Sequence, residues 1–218
     1  MKIGSVGAGF IGRAVAKLAV EHGHQVMLSN SRGPRTLTST AISVRAGIGK
    51  VADAVAFGDV VLLAIPFYAV ADLDPAVFVG KIVMDACNYY PGRDEPVPEL
   101  DDGFATTSEI VQRHFAGAKV VKAWNAILER DIEKDARPTG ASDRRALPIA
   151  GNDSDAKLVV ATLFDSLGYD VVDAGTLGEG WRFERARPAY CVRLDRAGLE
   201  DKLMEAGAVQ QAEGAWRD

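Results

Sequence analysis

Short runs of β-branched and aliphatic residues alternate along the chain with stretches whose apolar positions recur every three to four residues. The runs "KIGSVGA", "QVMLSN", "DVVLLAIP", "KIVMDAC" and "AKVVKAW" read as strands. Several are apolar at consecutive positions rather than alternating, as a strand must be when both of its faces are buried. Between the first two, Phe10 and Ile11, Ala14 and Val15, and Leu18 and Ala19 line one face of a helix that Gly23 ends. Strand and helix in alternation predict an α/β fold, a Rossmann-type doubly wound parallel sheet covered by helices on both sides.

After Trp124 the rhythm changes. The polar segment "KDARPTGASDRRA", with Pro138 and Gly140, predicts a linker or a long surface excursion. "LPIAG" then reads as a strand. A helix follows, capped by Asp153 or Ser154, with Leu158, Val159, Leu163 and Leu167 on one side and Gly168 at its end. "YDVVDAG" closes this second unit. The expected organisation is a dinucleotide-binding Rossmann domain over residues 1–125 and a smaller C-terminal α/β domain or extension over 126–218, ending in a helix-compatible but charged stretch.

Composition narrows the partners. The formal charge of −5 over 218 residues is spread through the chain, so no basic surface for nucleic acid is expected. No run approaches the roughly 20 apolar residues of a membrane span. The chain enters a strand almost at once, without a basic leader, which predicts a cytoplasmic protein. Cys87 and Cys191 have neither metal-type nor paired spacing, so no metal site or disulfide is expected.

Candidate chemistry begins at "VGAGFIG". Gly7, Gly9 and Gly12 form GxGxxG between a predicted strand and an apolar-periodic helix, the context in which that spacing binds a dinucleotide. Gly7 permits the tight turn, Gly9 lets the backbone approach a diphosphate, and Gly12 lets helix and strand pack closely. Amides at the helix start, Phe10 and Ile11 among them, then face the phosphates with the helix dipole in support. About 20 residues past such glycines, sites for NAD carry an acid that binds the ribose 2′-hydroxyl. Here stands Asn30, with no carboxylate from Met27 to Ile48. Ser31 can donate a hydroxyl hydrogen bond there, and Arg32, with Arg35 close behind, can clasp a 2′-phosphate. NADP is therefore expected over NAD.

Ligands of such sheets lie beyond the carboxyl ends of the strands. The stretches "AIPF", "CNYYPG" and "WNAI" should thus surround the nicotinamide, with Ile65 and Pro66 as an apolar wall. Asn88 and Asn125 are available either to hold a carboxamide or substrate or simply to close turns. No catalytic residue stands out. His22 and His24 are expected at the far end of the second strand and His114 on a polar helix, each solvated, while Lys122, Tyr89 and Tyr90 remain open as proton donors. Hydride transfer between two stacked redox rings asks less of the protein, mainly position and environment.

Taken in order from residue 1 to about 190, "GSVGAGFIG", "SNSRGP", "LLAIPF", "VVKAWNAI", "LPIAGND" and "YDVVDAGTLGEGWRFE" resemble the NADP oxidoreductases dependent on coenzyme F420. Related domains form the cytosolic reductase part of six-transmembrane metalloreductases. The resemblance implies hydride transfer between NADPH and a deazaflavin (coenzyme F420) or flavin held where the two parts of the chain meet. It also implies cofactor contacts from Gly9 to Gly12, from Ser31 with Arg32, and from Ile65 with Pro66. Trp181, Arg182, Arg185, Arg187 and Tyr190 are available to grip an anionic cofactor tail or, equally, to form a subunit contact compatible with a homodimer. The alternatives are a ketone or imine reductase using NADPH, and an NADP(H) sensor without chemistry. If Arg32 clasps the 2′-phosphate, Arg32→Ala should weaken NADP binding by about 1.5 to 3 kcal/mol and barely change NAD binding in paired titrations.

Overall fold

The computed structural model describes residues 1–206. Strands and helices alternate as β1 (Lys2–Val6), α1 (Phe10–Glu21), β2 (Gln25–Ser29), α2 (Thr38–Val44), β3 (Gly47–Ile48), α3 (Val51–Phe57) and β4 (Val60–Leu63). There follow β5 (Ile82–Asp85), α4 (Pro98–Asp101), α5 (Thr107–His114) and β6 (Lys119–Lys122). The chain continues through α6 (Glu129–Lys134), β7 (Ala146–Gly151), α7 (Ser154–Ser166), β8 (Asp170–Asp173) and α8 (Arg196–Glu205). The charged C-terminal stretch is helical over α8, and its remainder lies outside the described residues.

The strands form one eight-stranded sheet in the order β3-β2-β1-β4-β5-β6-β7-β8. From β3 to β6 all pairs are parallel, β7 runs antiparallel to β6, and β8 is parallel to β7. This is the doubly wound order, and strand order reverses between β1 and β4. The consecutive apolar runs are explained by the two cores. In β4, Val60 and Leu62 face a core with Val15 and Leu18 of α1, whereas Val61 and Leu63 face a core with Val55 of α3 and Val111 of α5. Strand β3, two residues at the edge, has no counterpart in the hydrophobic pattern because it is too short to show one.

Helix α1 ends where expected: the Gly23 amide donates to the Val20 carbonyl at 3.1 Å, and Gly23 has φ +82°. Its first residue departs from expectation, since Phe10 is 70% exposed and stands at the rim of the sheet instead of in the core. In α7 the cap is Asp153, accepting from the Ala156 amide at 2.8 Å. Leu158, expected on its buried side, is 66% exposed, and Ala156, Val160, Leu163 and Phe164 carry the packing. The side that meets the sheet is centred one position away from the one the leucines suggest.

The segment expected to be a linker or a long surface excursion is exposed over residues 138–140 and pinned at its end. Arg145, fully buried, donates to Asp135 at 2.7 Å and to the Val192 carbonyl at 3.2 Å. Arg144 binds Asp165 at 2.7 Å and the Tyr169 carbonyl at 3.0 Å. These arginines look like surface residues in sequence, but their carboxylate partners lie 10 and 21 positions away and meet them only in the fold. Removing one member of a buried pair strands the other charge. Asp135→Ala should therefore lower stability by about 3–5 kcal/mol in denaturant unfolding.

Candidate active site

Three glycines build the first part of the site for three different reasons. Gly7 leaves β1 with φ +107°, and a Cβ there would collide with the Ala64 carbonyl at the end of β4. A Cβ on Gly12 would collide with the Gly7 carbonyl oxygen, so helix and turn touch there. A Cβ on Gly9 would meet nothing within 4 Å. Gly9 is the N-cap of α1, which has no capping side chain and no acid in its first turn. Its leading amides thus face open space with the positive end of the helix dipole, which fits a diphosphate. Buried Ser5 stiffens the turn by donating to the Gly7 carbonyl at 2.8 Å.

At the end of β2, Asn30 organises the next loop. Its Nδ2 donates to Thr36 Oγ1 at 2.8 Å, and Thr36 donates in turn to the Gly33 carbonyl at 2.8 Å. Ser31, Arg32 and Arg35 stand exposed on that loop, while Asn30 Oδ1 is buried without a partner. Two guanidinium groups and a hydroxyl are therefore displayed where the acid of an NAD site would stand.

Beyond β4, β5 and β6 lies a cavity of about 410 Å³. Phe10, Ile11, Ile65, Pro66, Asn88 and Asn125 all line it. The two asparagines bridge the strand ends. Asn88 Nδ2 donates to the Asn125 carbonyl at 3.0 Å, and Asn125 Nδ2 donates to Asn88 Oδ1 at 3.3 Å and to the Phe183 carbonyl at 3.0 Å. Their bonds thus join strand ends 37 positions apart instead of closing local turns, and both residues line the cavity. Trp124 forms the back with φ +63°, a region that L residues rarely adopt, its ring stacked on Phe164 at 4.2 Å.

The possible proton donors sort clearly. Tyr89 turns outward, its hydroxyl donating to Asp101 at 2.8 Å and accepting from the Val97 amide. Lys122 is fully buried beneath the cavity, 3.3 Å from the Cys87 carbonyl, from Ser108 Oγ and from Glu184 Oε1. Ser108 also donates to buried Asp85 at 2.6 Å, which completes a structural charge network. The histidines are tied down rather than simply solvated: His22 to the Leu18 carbonyl, His114 to the Leu73 carbonyl, and His24 to Ser166. Burial, with the N-terminal ammonium beside it, lowers the His24 pKa.

Tyr90 does line the cavity, 2.9 Å hydroxyl to hydroxyl from Tyr190. Sequence reasoning placed Tyr190 in an anion-gripping patch, and no local signal could pair it with a residue 100 positions away. Of that patch, Arg185 lies over the Tyr90 ring at 5.7 Å, whereas Trp181 sits between Arg182 and Arg187. Arg93, which sequence reasoning missed, also lines the cavity, stacks on Tyr90 at 4.6 Å and donates to the Asn88 carbonyl. A larger cavity of about 640 Å³ lies beside Phe67, Val70 and Ile110. It touches neither the glycine turn nor the ends of β5 and β6, so its size gives it no part in the dinucleotide site.

The family model for the coenzyme F420-dependent NADP oxidoreductases matches residues 2–89. The crystal structure of a hypothetical protein, SMa0349 of Sinorhizobium meliloti, is 35% identical with TM-score 0.77, covering 89% of this chain and 94% of that one. The chain belongs to the coenzyme F420-dependent NADP oxidoreductase family. A provisionally assigned F420-dependent NADP reductase from Arthrobacter sp. FB24 is 28% identical with TM-score 0.68, covering 83% of this chain and 87% of that one. The protein YjhV of Escherichia coli is 33% identical over 68 residues, 31% of this chain, and the match spans 50% of that curated relative. This family member is an NADP(H)-dependent oxidoreductase. Among the described residues no helix is long and apolar enough to cross a membrane.

The glycines yield a paired test. Gly9→Ala should alter stability by less than about 0.5 kcal/mol, yet weaken NADP binding about tenfold or more, since the added methyl occupies the space facing the diphosphate. Gly12→Ala should instead lower stability by about 1–3 kcal/mol through overpacking, read by thermal unfolding.

Proposed function

We propose that the protein passes hydride between NADPH and a deazaflavin (coenzyme F420) or flavin acceptor. The observation that carries this reading is the continuity of the cavity with the glycine turn. Phe10 and Ile11 lie at the start of α1 and also line a cavity whose walls include Ile65, Pro66 and Trp124. A nicotinamide reaching from a diphosphate at Gly9 would lie between those apolar walls, with room for a second ring against it.

Each part of the chain has a task in this reading. The α1 amides hold the diphosphate, and Ser31, Arg32 and Arg35 hold the 2′-phosphate. Asn30 shapes their loop. Ile65 and Pro66 limit water beside the nicotinamide, and the bridged pair Asn88 and Asn125 fixes the strand ends against it. Bound NADPH supplies the hydride. Residues 1–125 then act as the dinucleotide-binding domain, and Leu128 and Tyr190 bring the far wall from the C-terminal part.

A reductase of small ketones or imines is the second reading, favoured by one observation: two phenols, Tyr90 and Tyr190, line the cavity with their hydroxyls 2.9 Å apart, where a carbonyl or imine needs a proton. NADPH oxidation followed with coenzyme F420, riboflavin, acetophenone and a cyclic imine separates the two. Turnover with the ring acceptors is expected. Turnover with acetophenone or the imine alone would replace the first reading by the second, and tight NADPH binding without any turnover would leave a sensor.

A further inference from the structure

We propose that Tyr190 is the proton donor of the reaction and that Tyr90 returns a proton to it. This rests on the oxidoreductase reading but not on which acceptor is used. When hydride adds to an acceptor carbon, the displaced electron pair moves onto a neighbouring oxygen or nitrogen, and that atom then takes a proton. The balance is acceptor, NADPH and one proton giving reduced acceptor and NADP⁺. A group in the cavity that can release and regain a proton completes it.

The ionisable side chains lining this cavity, among the described residues, are Tyr90, Arg93, Glu129, Tyr190 and Cys191. Arginine stays protonated and cannot serve. Glu129 is exposed at the rim. The Cys191 thiol is a weak hydrogen-bond donor. The two phenols are left. They share a hydrogen bond at 2.9 Å, and Asn88 Nδ2 lies 3.5 Å from the Tyr190 oxygen. An amide NH₂ can only donate, so it engages a lone pair of that oxygen and favours the Tyr190 proton pointing elsewhere.

The chain also aims Tyr190 firmly. Ala186 and Cys191 bracket it with φ of +64° and +59°, conformations that need support from surrounding structure. The Tyr190 amide donates to the Arg187 carbonyl at 2.9 Å, and the Cys191 amide donates to the Ala126 carbonyl at 3.2 Å. Burial, then the neighbouring Cys191 and Tyr90, raises the Tyr190 pKa well above the usual tyrosine value. Tyr190 therefore rests as the neutral phenol and is a weaker acid than a solvated tyrosine, so it is the geometry of the pair that fits it to donate, as negative charge builds on the acceptor heteroatom. On Tyr90, the guanidinium groups of Arg93 and Arg185 lie over the ring at 4.6 and 5.7 Å and fix its plane. During turnover the Tyr190 O–H bond breaks as the acceptor heteroatom gains the proton. Tyr90 then protonates the Tyr190 oxygen, and water restores Tyr90.

The experiment compares the full-length protein with Tyr190→Phe and Tyr90→Phe. NADPH binding, read by nucleotide fluorescence, should stay within about twofold in both variants, because neither phenol touches the glycine turn. Riboflavin bound together with NADP⁺ is the probe of donation. Its carbonyl stretch in the infrared should lie lower in the wild type and return towards the free value in Tyr190→Phe. With NADPH, kcat of Tyr190→Phe should fall by about 10² to 10⁴-fold at nearly unchanged KM. For Tyr90→Phe the expected signs are a fall of about tenfold and an altered solvent deuterium effect, which a merely structural contact would not produce. Unchanged kcat and carbonyl frequency in Tyr190→Phe would overturn the proposal and leave the reductase intact. A wild type that binds NADPH but oxidises it with no acceptor would sink the functional reading, while the infrared shift would still judge the donor. A Tyr90→Phe solvent effect equal to wild type would overturn the relay.

Discussion

The site depends on one steric constraint, the near contact between the turn leaving β1 and the end of β4. Gly7 runs so close to the Ala64 carbonyl that no side chain fits, and Gly12 runs equally close to the Gly7 carbonyl. These approaches bring the N-terminus of α1 over the carboxyl edge of the sheet at the point where strand order reverses. The uncapped amides at Gly9, the loop at Asn30 and the cavity beyond β4 to β6 then lie along one edge. A parallel sheet sets this up of itself, because every strand delivers its C-terminal loop to the same side.

A second layer of control comes from buried charge. Lys122 reaches from β6 to the Cys87 carbonyl and Glu184, while Glu184 accepts from the Thr107 amide at 3.0 Å. Arg145 ties Asp135 to the Val192 carbonyl. Buried ion pairs add little net stability over apolar packing, but a misplaced partner is strongly penalised. Their effect here is positional: they clamp the segment between Phe183 and Val192 against β6, α5 and the end of α6. That segment carries Tyr190 to the cavity.

The legible and illegible parts of this protein divide by the range of the signal. Consecutive apolar residues in "DVVLLAIP" were enough to tell a strand buried on both faces, and Val60 to Leu63 do face two different cores. Phe10 and Leu158 show where periodicity misleads. Each falls in an apolar pattern but stands exposed, because the covered arc of a helix depends on which neighbour arrives. Of the three glycines, Gly7 and Gly12 answer to backbone contacts with the neighbouring strand end and within their own turn, whereas Gly9 stands clear of every neighbour. The role of Asn30 was half legible, as the missing acid shows in sequence but its bond to Thr36 does not.

By itself, then, the sequence determined the doubly wound class, the glycine turn between β1 and α1, and the lack of a carboxylate from Met27 to Ile48. All three rest on backbone geometry and spacing within a few tens of residues. Only the tertiary structure decided that Tyr89 faces outward while Tyr90 faces in, that Lys122 is buried beneath the cavity, and that Tyr190 meets Tyr90 across 100 residues. A hydrogen bond between side chains depends on where two distant backbones come to rest, and nothing in either residue's local sequence carries that information.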